Sequence, residues 1–150
     1  YYVSGTPQEA YSLAFKYAGP HMWFFELNGA WMNRAYVDLS PVRHEALPDL
    51  WKVCSSEAEL EQRLREISTQ DKFNEALVIN MSLGKLIYLS RSASLNLNLS
   101  INNLLDNRNI QTGGYQQGRF DYKNFSTTKY PNKYYYAQGI RIFVNAGVRF

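Results

Sequence analysis

The sequence has little cysteine. Cys54 is the only one among 150 residues, which excludes an internal disulfide and any multi-cysteine zinc site. Histidine is nearly as scarce. His21 and His44 stand alone, without a second His or Cys at ligand spacing, so no metal is expected. No apolar run exceeds four residues, as in Met22 to Phe25, whereas a transmembrane helix needs about 20. No initiator Met or charged region followed by an apolar stretch marks a leader. The opening Tyr1-Tyr2-Val3 reads as the interior of something longer, and a C-terminal piece is expected. Lys+Arg of 16 against Asp+Glu of 13 leaves a net charge of +3 with no basic block, so nucleic acid is not an expected partner. No G-x-S-x-G context supports a Ser-His-Asp arrangement, and no Lys-Ser/Thr follows Gly113-Gly114, which reads as a turn. An enzyme is therefore not expected, nor a cofactor.

Alternation with a period of two dominates what is present. Leu95, Leu97, Leu99 and Ile101 take one side while Ser94, Asn96, Asn98 and Ser100 take the other, the pattern of a strand facing two different solvents. Near the end, Ile140, Ile142, Val144, Ala146, Val148 and Phe150 alternate with Gly139, Arg141, Phe143, Asn145, Gly147 and Arg149. Looser alternation runs through Tyr11–Tyr17, Trp23–Trp31 and Leu77–Leu83. Five antiparallel up-and-down strands are expected, over about 9–18, 22–37, 75–89, 94–105 and 134–150. The chain length suits one domain, and the fold class is all-β.

The connections differ in length. Ala18-Gly19-Pro20-His21 and Ser90-Arg91-Ser92-Ala93 are tight links, whereas about 38–74 and 106–133 are long loops. Short and long alternate, so both long loops leave one end of the sheet. The first holds one expected helix. Ser56 and Glu59 form a capping box, Leu60, Leu64 and Ile67 an apolar stripe, and Arg63 and Arg65 suit the helix dipole.

The polar side of these strands is mainly Asn, Ser and Gly rather than the Lys, Glu and Thr of a soluble sheet. Aromatics gather near segment ends, at Tyr11, Tyr17, Trp23, Trp31, Tyr134 and Tyr136. Lipid on one side and a crowded or watery lumen on the other suit this pattern, with the aromatics as interfacial girdles. A soluble β-rich binding module and a passive outer-membrane porin or adhesin remain alternatives. Five strands cannot close a barrel, since bacterial barrels use an even number of at least about eight. The missing strands are expected upstream.

Particular residues carry a resemblance. The stretch Gly139-Ile140-Arg141-Ile142-Phe143-Val144-Asn145-Ala146-Gly147-Val148-Arg149-Phe150 resembles the terminal strand of an outer-membrane protein. Leu97-Asn98-Leu99-Ser100-Ile101-Asn102-Asn103-Leu104-Leu105-Asp106 resembles a late strand of TonB-dependent receptors. Thr112-Gly113-Gly114-Tyr115, Gly118-Arg119-Phe120, Ala10-Tyr11-Ser12-Leu13 and Tyr36-Val37-Asp38-Leu39-Ser40-Pro41-Val42-Arg43 are similar to those receptors in Bacteroidota, the SusC-like, carboxypeptidase-regulatory-like-domain type. The likeness is weakest over residues 44–72. It implies a transmembrane barrel of about 22 strands around a plug, of which this chain would supply the last five. It also implies the outer membrane of a Gram-negative cell and TonB-energised uptake of a large ligand such as a chelate, glycan or peptide. The implied partners are outer-membrane lipid, upstream strands and plug, TonB through the missing N-terminal part, the barrel assembly machinery and, in one branch, a surface lipoprotein. Phe150 would lie at the periplasmic rim, with the long loops extracellular.

Two residue groups follow as candidate sites. Tyr115, Arg119, Phe120, Tyr122 and Tyr130 in the second long loop, with Phe125, combine aromatic faces and a cation that can stack on and hydrogen-bond a ligand. The other reading, and the commoner role for such residues, is that they pack the loop against its neighbours or line the girdle. By the resemblance, Ile142, Val144, Ala146, Val148 and Phe150 form the barrel-assembly signal while also facing lipid. Arg141 and Arg149 would face the lumen.

Overall fold

Strict alternation makes each side of a strand uniform, and uniform strands stack in register. The computed structural model of the chain describes residues 1–45 and 47–150. The first long loop expected over 38–74 therefore lies outside the described residues at Ala46. The fold is all-β and mostly antiparallel, with few helices. Strands β1 (Glu9–Gly19), β2 (Trp23–Asn33), β3 (Ala76–Tyr88), β4 (Ser94–Asn102) and β7 (Arg141–Arg149) form one five-stranded sheet. Its order is β1-β2-β3-β4-β7, every neighbouring pair antiparallel. A second sheet pairs β5 (Gln111–Tyr115) with β6 (Lys133–Tyr136).

The chain divides into two compact units, where the length alone suggested one. The sheet unit comprises Glu9–Asn33, Glu75–Ile110 and Ala137–Phe150; the loop unit comprises Tyr1–Gln8, Arg34–Asn74 and Gln111–Tyr136. The long connections are thus not plain loops. They hold α1 (Pro41–Glu45), a 3-10 segment (Leu47–Lys52), α2 (Glu57–Ser68) and the β5–β6 pair. Helix α2 begins at its Ser56 cap, with Glu59 reaching back one residue beyond it. Ser56 Oγ accepts from the Glu59 amide at 3.2 Å, and the Glu59 carboxylate accepts from the Ser55 amide at 3.0 Å. The apolar stripe of α2 turns inward: Ile67 joins Leu50, Phe120 and Phe125 in a core, with Leu60 and Leu64 packed against it.

Several expected boundaries move, each for a local reason. Residues 134–150 are not one strand. β6 pairs with β5, and the chain is redirected over Ala137–Ile140 before β7 begins. The redirection is made by the Asn-Asn-Leu-Leu-Asp stretch that follows β4. Asn103 is buried and adopts a left-handed backbone (φ 54°), which stops β4 at Asn102 rather than 105. Its side-chain amide donates to the carbonyls of Asn107 (3.0 Å) and Gln138 (3.1 Å). Asp106 Oδ1 then accepts from the Ile140 amide (2.8 Å) and Arg108 Nε (3.2 Å). These two hydrogen bonds, the amide first, hold the Asp106 carboxyl below its ordinary range. Gly139 leaves the room: a Cβ there would lie 2.2 Å from Asp106 Oδ1.

Likewise β2 ends at Asn33, because Arg34 turns left-handed (φ 56°). Gly113-Gly114 is not a turn but part of β5, where a Cβ at Gly114 would lie 2.7 Å from the Lys133 carbonyl. Tyr134 and Tyr136, expected in an aromatic girdle, stand in β6 of the loop unit. Both tight links are present. One is a 3-10 turn over Pro20–Met22, and in the other the Leu89 amide donates to the Ala93 carbonyl at 2.9 Å.

Candidate functional site

The register assembles one side of the sheet from five strands. Tyr11 lies opposite Trp31 and that opposite Leu77. Phe15, Leu27, Met81, Ile101 and Ile142 form the central row, and Tyr17, Phe25, Leu83, Leu99 and Val144 the next. The opposite side carries Ser12, Asn28, Asn80, Ser82, Asn98, Ser100 and Asn145, with a Lys16–Glu26 ion pair at 3.4 Å. Phe24 covers Gly84 on that side, where a Cβ would sit 2.0 Å from the ring.

The apolar side stays largely open among the described residues. Leu13 is 81% exposed and Val144 70%, and Leu95 and Leu99 are only half-buried. Area of this kind stabilises only when something apolar removes it from water, at about 25 cal/mol per Å². Aromatic residues close it at both ends. Tyr11 and Trp31 rings lie 5.6 Å apart at the end from which the long connections leave, while Tyr17 and Trp23 stand toward the short turns. From Trp23 to Trp31 the strand covers roughly 27 Å. Both outer strands, β1 and β7, leave one backbone edge unpaired among the described residues.

Of the terminal-strand residues, Ile142, Val144, Ala146 and Val148 lie on this apolar side in register with Ile101, Leu99, Leu97 and Leu95. Phe150 follows the end of β7 and is 93% exposed. Arg141 and Arg149 lie on the polar side, opposite Asn102 and Ser94.

The loop-unit candidates separate. Phe120 is 7% exposed and packs edge-to-face on Phe125 at 6.0 Å and on Tyr122 at 5.4 Å. It is a core residue rather than a stacking platform. Phe125 is buried with it. Tyr115, Tyr122 and Arg119 are exposed. Tyr130 is half-buried, and its carbonyl accepts from Arg43 Nη2.

A polar cleft of about 320 Å³ lies in the loop unit, and sequence reasoning did not find it; Arg43, Asp71, Gln116, Thr128, Asn132 and Tyr134 line it. Arg43 is 2% exposed and donates through Nη1 to Asn132 Oδ1 at 2.8 Å. Burial lowers the affinity of its guanidinium for the proton, and the Asp71 charge opposes this. Asp71 Oδ2 accepts from Tyr134 Oη at 2.7 Å and from the Asn132 amide. Burial first, and this hydrogen bond second, raise the Tyr134 phenol above its ordinary range. Arg43 and Asp71 thus hold Asn132 and Tyr134 in place, and Glu66 adds a carboxylate to the cleft wall beside its threonines. Arg43 and Asn132 are 89 residues apart, so no spacing signalled the group. No protein-family model matches this chain, and no curated protein or solved structure matches it either.

Proposed function

We propose that this chain is part of the barrel wall and the extracellular loops of a TonB-dependent outer-membrane receptor, which takes up a large ligand such as a chelate, glycan or peptide. One observation carries the reading: five strands in register present an apolar side that is bounded by aromatic rows and left largely exposed among the described residues. Lipid is the covering that suits it, and the Asn/Ser side would face the lumen. Unpaired backbone edges are costly in hydrocarbon, so β1 and β7 would pair with further strands outside this chain. The loop unit, with its polar cleft and exposed Tyr115, Arg119 and Tyr122, would supply ligand contacts on the outer surface. TonB, a plug, the assembly machinery acting on β7 and a surface lipoprotein would be the partners of such a receptor.

Extraction tests the reading. The chain is expected in the outer-membrane fraction, soluble in detergent and aggregating when detergent is removed. A folded, monodisperse species in buffer alone would favour the soluble binding module.

A further inference from the structure

We propose that Lys85 and Trp23 form a binding site for the phosphate of an anionic phospholipid, with the lipid's acyl chain in the groove beside them. The inference rests on the membrane reading above. Lys85 lies on the apolar side of the sheet, in register with Trp23 on β2 and Leu97 on β4. Between the Tyr11–Trp31 row and the Leu95–Val148 row, it is the only charged side chain on that side among the described residues. Its Nζ stands 4.5 Å from the centre of the Trp23 ring, and no carboxylate pairs with it among the described residues.

A lone ammonium on a hydrocarbon-facing surface is costly unless its flexible stem carries it to a partner at the interface. The position allows this, because Lys85 lies toward the short-turn end, three residues before the end of β3. A ring face attracts the cation but leaves its charge uncompensated. A phosphate at the headgroup level compensates it. Beside the pair runs a groove of about 210 Å³, walled by Leu83, Leu97, Leu99 and Val144. Cation, indole and apolar groove thus match phosphate, glycerol backbone and acyl chain in that order.

The test uses the longer receptor that supplies the remaining strands, folded in phosphatidylcholine vesicles, with every tryptophan other than Trp23 (Trp31 and Trp51 included) replaced by Phe so that Trp23 is the sole indole. Part of the lipid is replaced by acyl-brominated phosphatidylglycerol or, separately, by acyl-brominated phosphatidylcholine. Trp23 is expected to report about fivefold enrichment of the anionic lipid, the amount one lysine near a charged headgroup layer confers. Lys85→Arg keeps this preference; Lys85→Met removes it while both brominated lipids still quench. Equal quenching by the two lipids, or a preference that survives Lys85→Met, overturns the site and leaves the membrane reading intact. No quenching by either lipid overturns the membrane reading, and the site with it.

Discussion

The loop unit and the sheet unit treat their apolar residues in opposite ways. In the loop unit, Leu50, Ile67, Phe120 and Phe125 come from distant segments and bury one another. In the sheet unit, a larger set of Leu, Ile, Val and aromatic side chains is brought into perfect register and then left open. Hydrophobicity alone does not distinguish them. Periodicity does: an apolar residue at every second position makes a flat greasy face, and a flat face buries nothing by itself. The loop unit is stabilised as a water-soluble domain is, whereas the sheet depends on whatever covers it.

The sharpest way to break the contrast is to hollow the loop-unit core. Phe120→Ala should cost about 3–5 kcal/mol, as buried aromatic truncations do, seen as lost protection of α2 amides in hydrogen exchange. Truncating Val144, which is 70% exposed, should leave that protection unchanged. Leu99→Arg probes the open face. In lipid it should destabilise by about 2–4 kcal/mol, while Asn98→Arg on the other side stays far milder; urea titration of the longer, vesicle-folded receptor compares them. Similar costs would mean that both sides meet the same solvent.

Gly139→Ala comes next, at about 1–3 kcal/mol, because its methyl group must displace the Asp106 carboxylate; β7 amides should then exchange faster than those of β2. Ser56→Ala removes a helix cap and should cost about 1 kcal/mol, confined to α2. The smallest effect concerns acid. The folded-state pKa of Asp106 is depressed, so its contribution is present above the unfolded value near about 3.9. It is lost as pH falls through the folded value. Asp106→Asn should lower β7 protection slightly at neutral pH, where the carboxylate contributes, and flatten its acid limb, so that variant and wild type converge in acid.

What could be read from the chain divides along the same line. The five strands of the large sheet, the two tight links and the capped helix depend on neighbours one to four residues away, and those signals were visible. The Asn103–Asp106 stretch was visible only as a pattern. Its work, halting β4 and catching Gln138 and Ile140, requires partners more than 30 residues distant. For that reason 134–150 looked continuous. Tyr134 and Tyr136 looked like girdle residues because alternation cannot tell which sheet a strand joins. Phe120 could be read either as a ligand platform or as loop packing, because a loop aromatic reads alike whether it faces water or a core.

By itself, the sequence determined that the chain alternates, where it turns, and that one side of each long strand is apolar. Side-chain period is a property of the local backbone, so residue order suffices. Only the tertiary structure decided that the long connections build their own core, that Arg43, Asp71 and Asn132 meet around a cleft, and that Lys85 lies against Trp23. Such meetings depend on register and on chain closure over tens of residues, which no local pattern encodes.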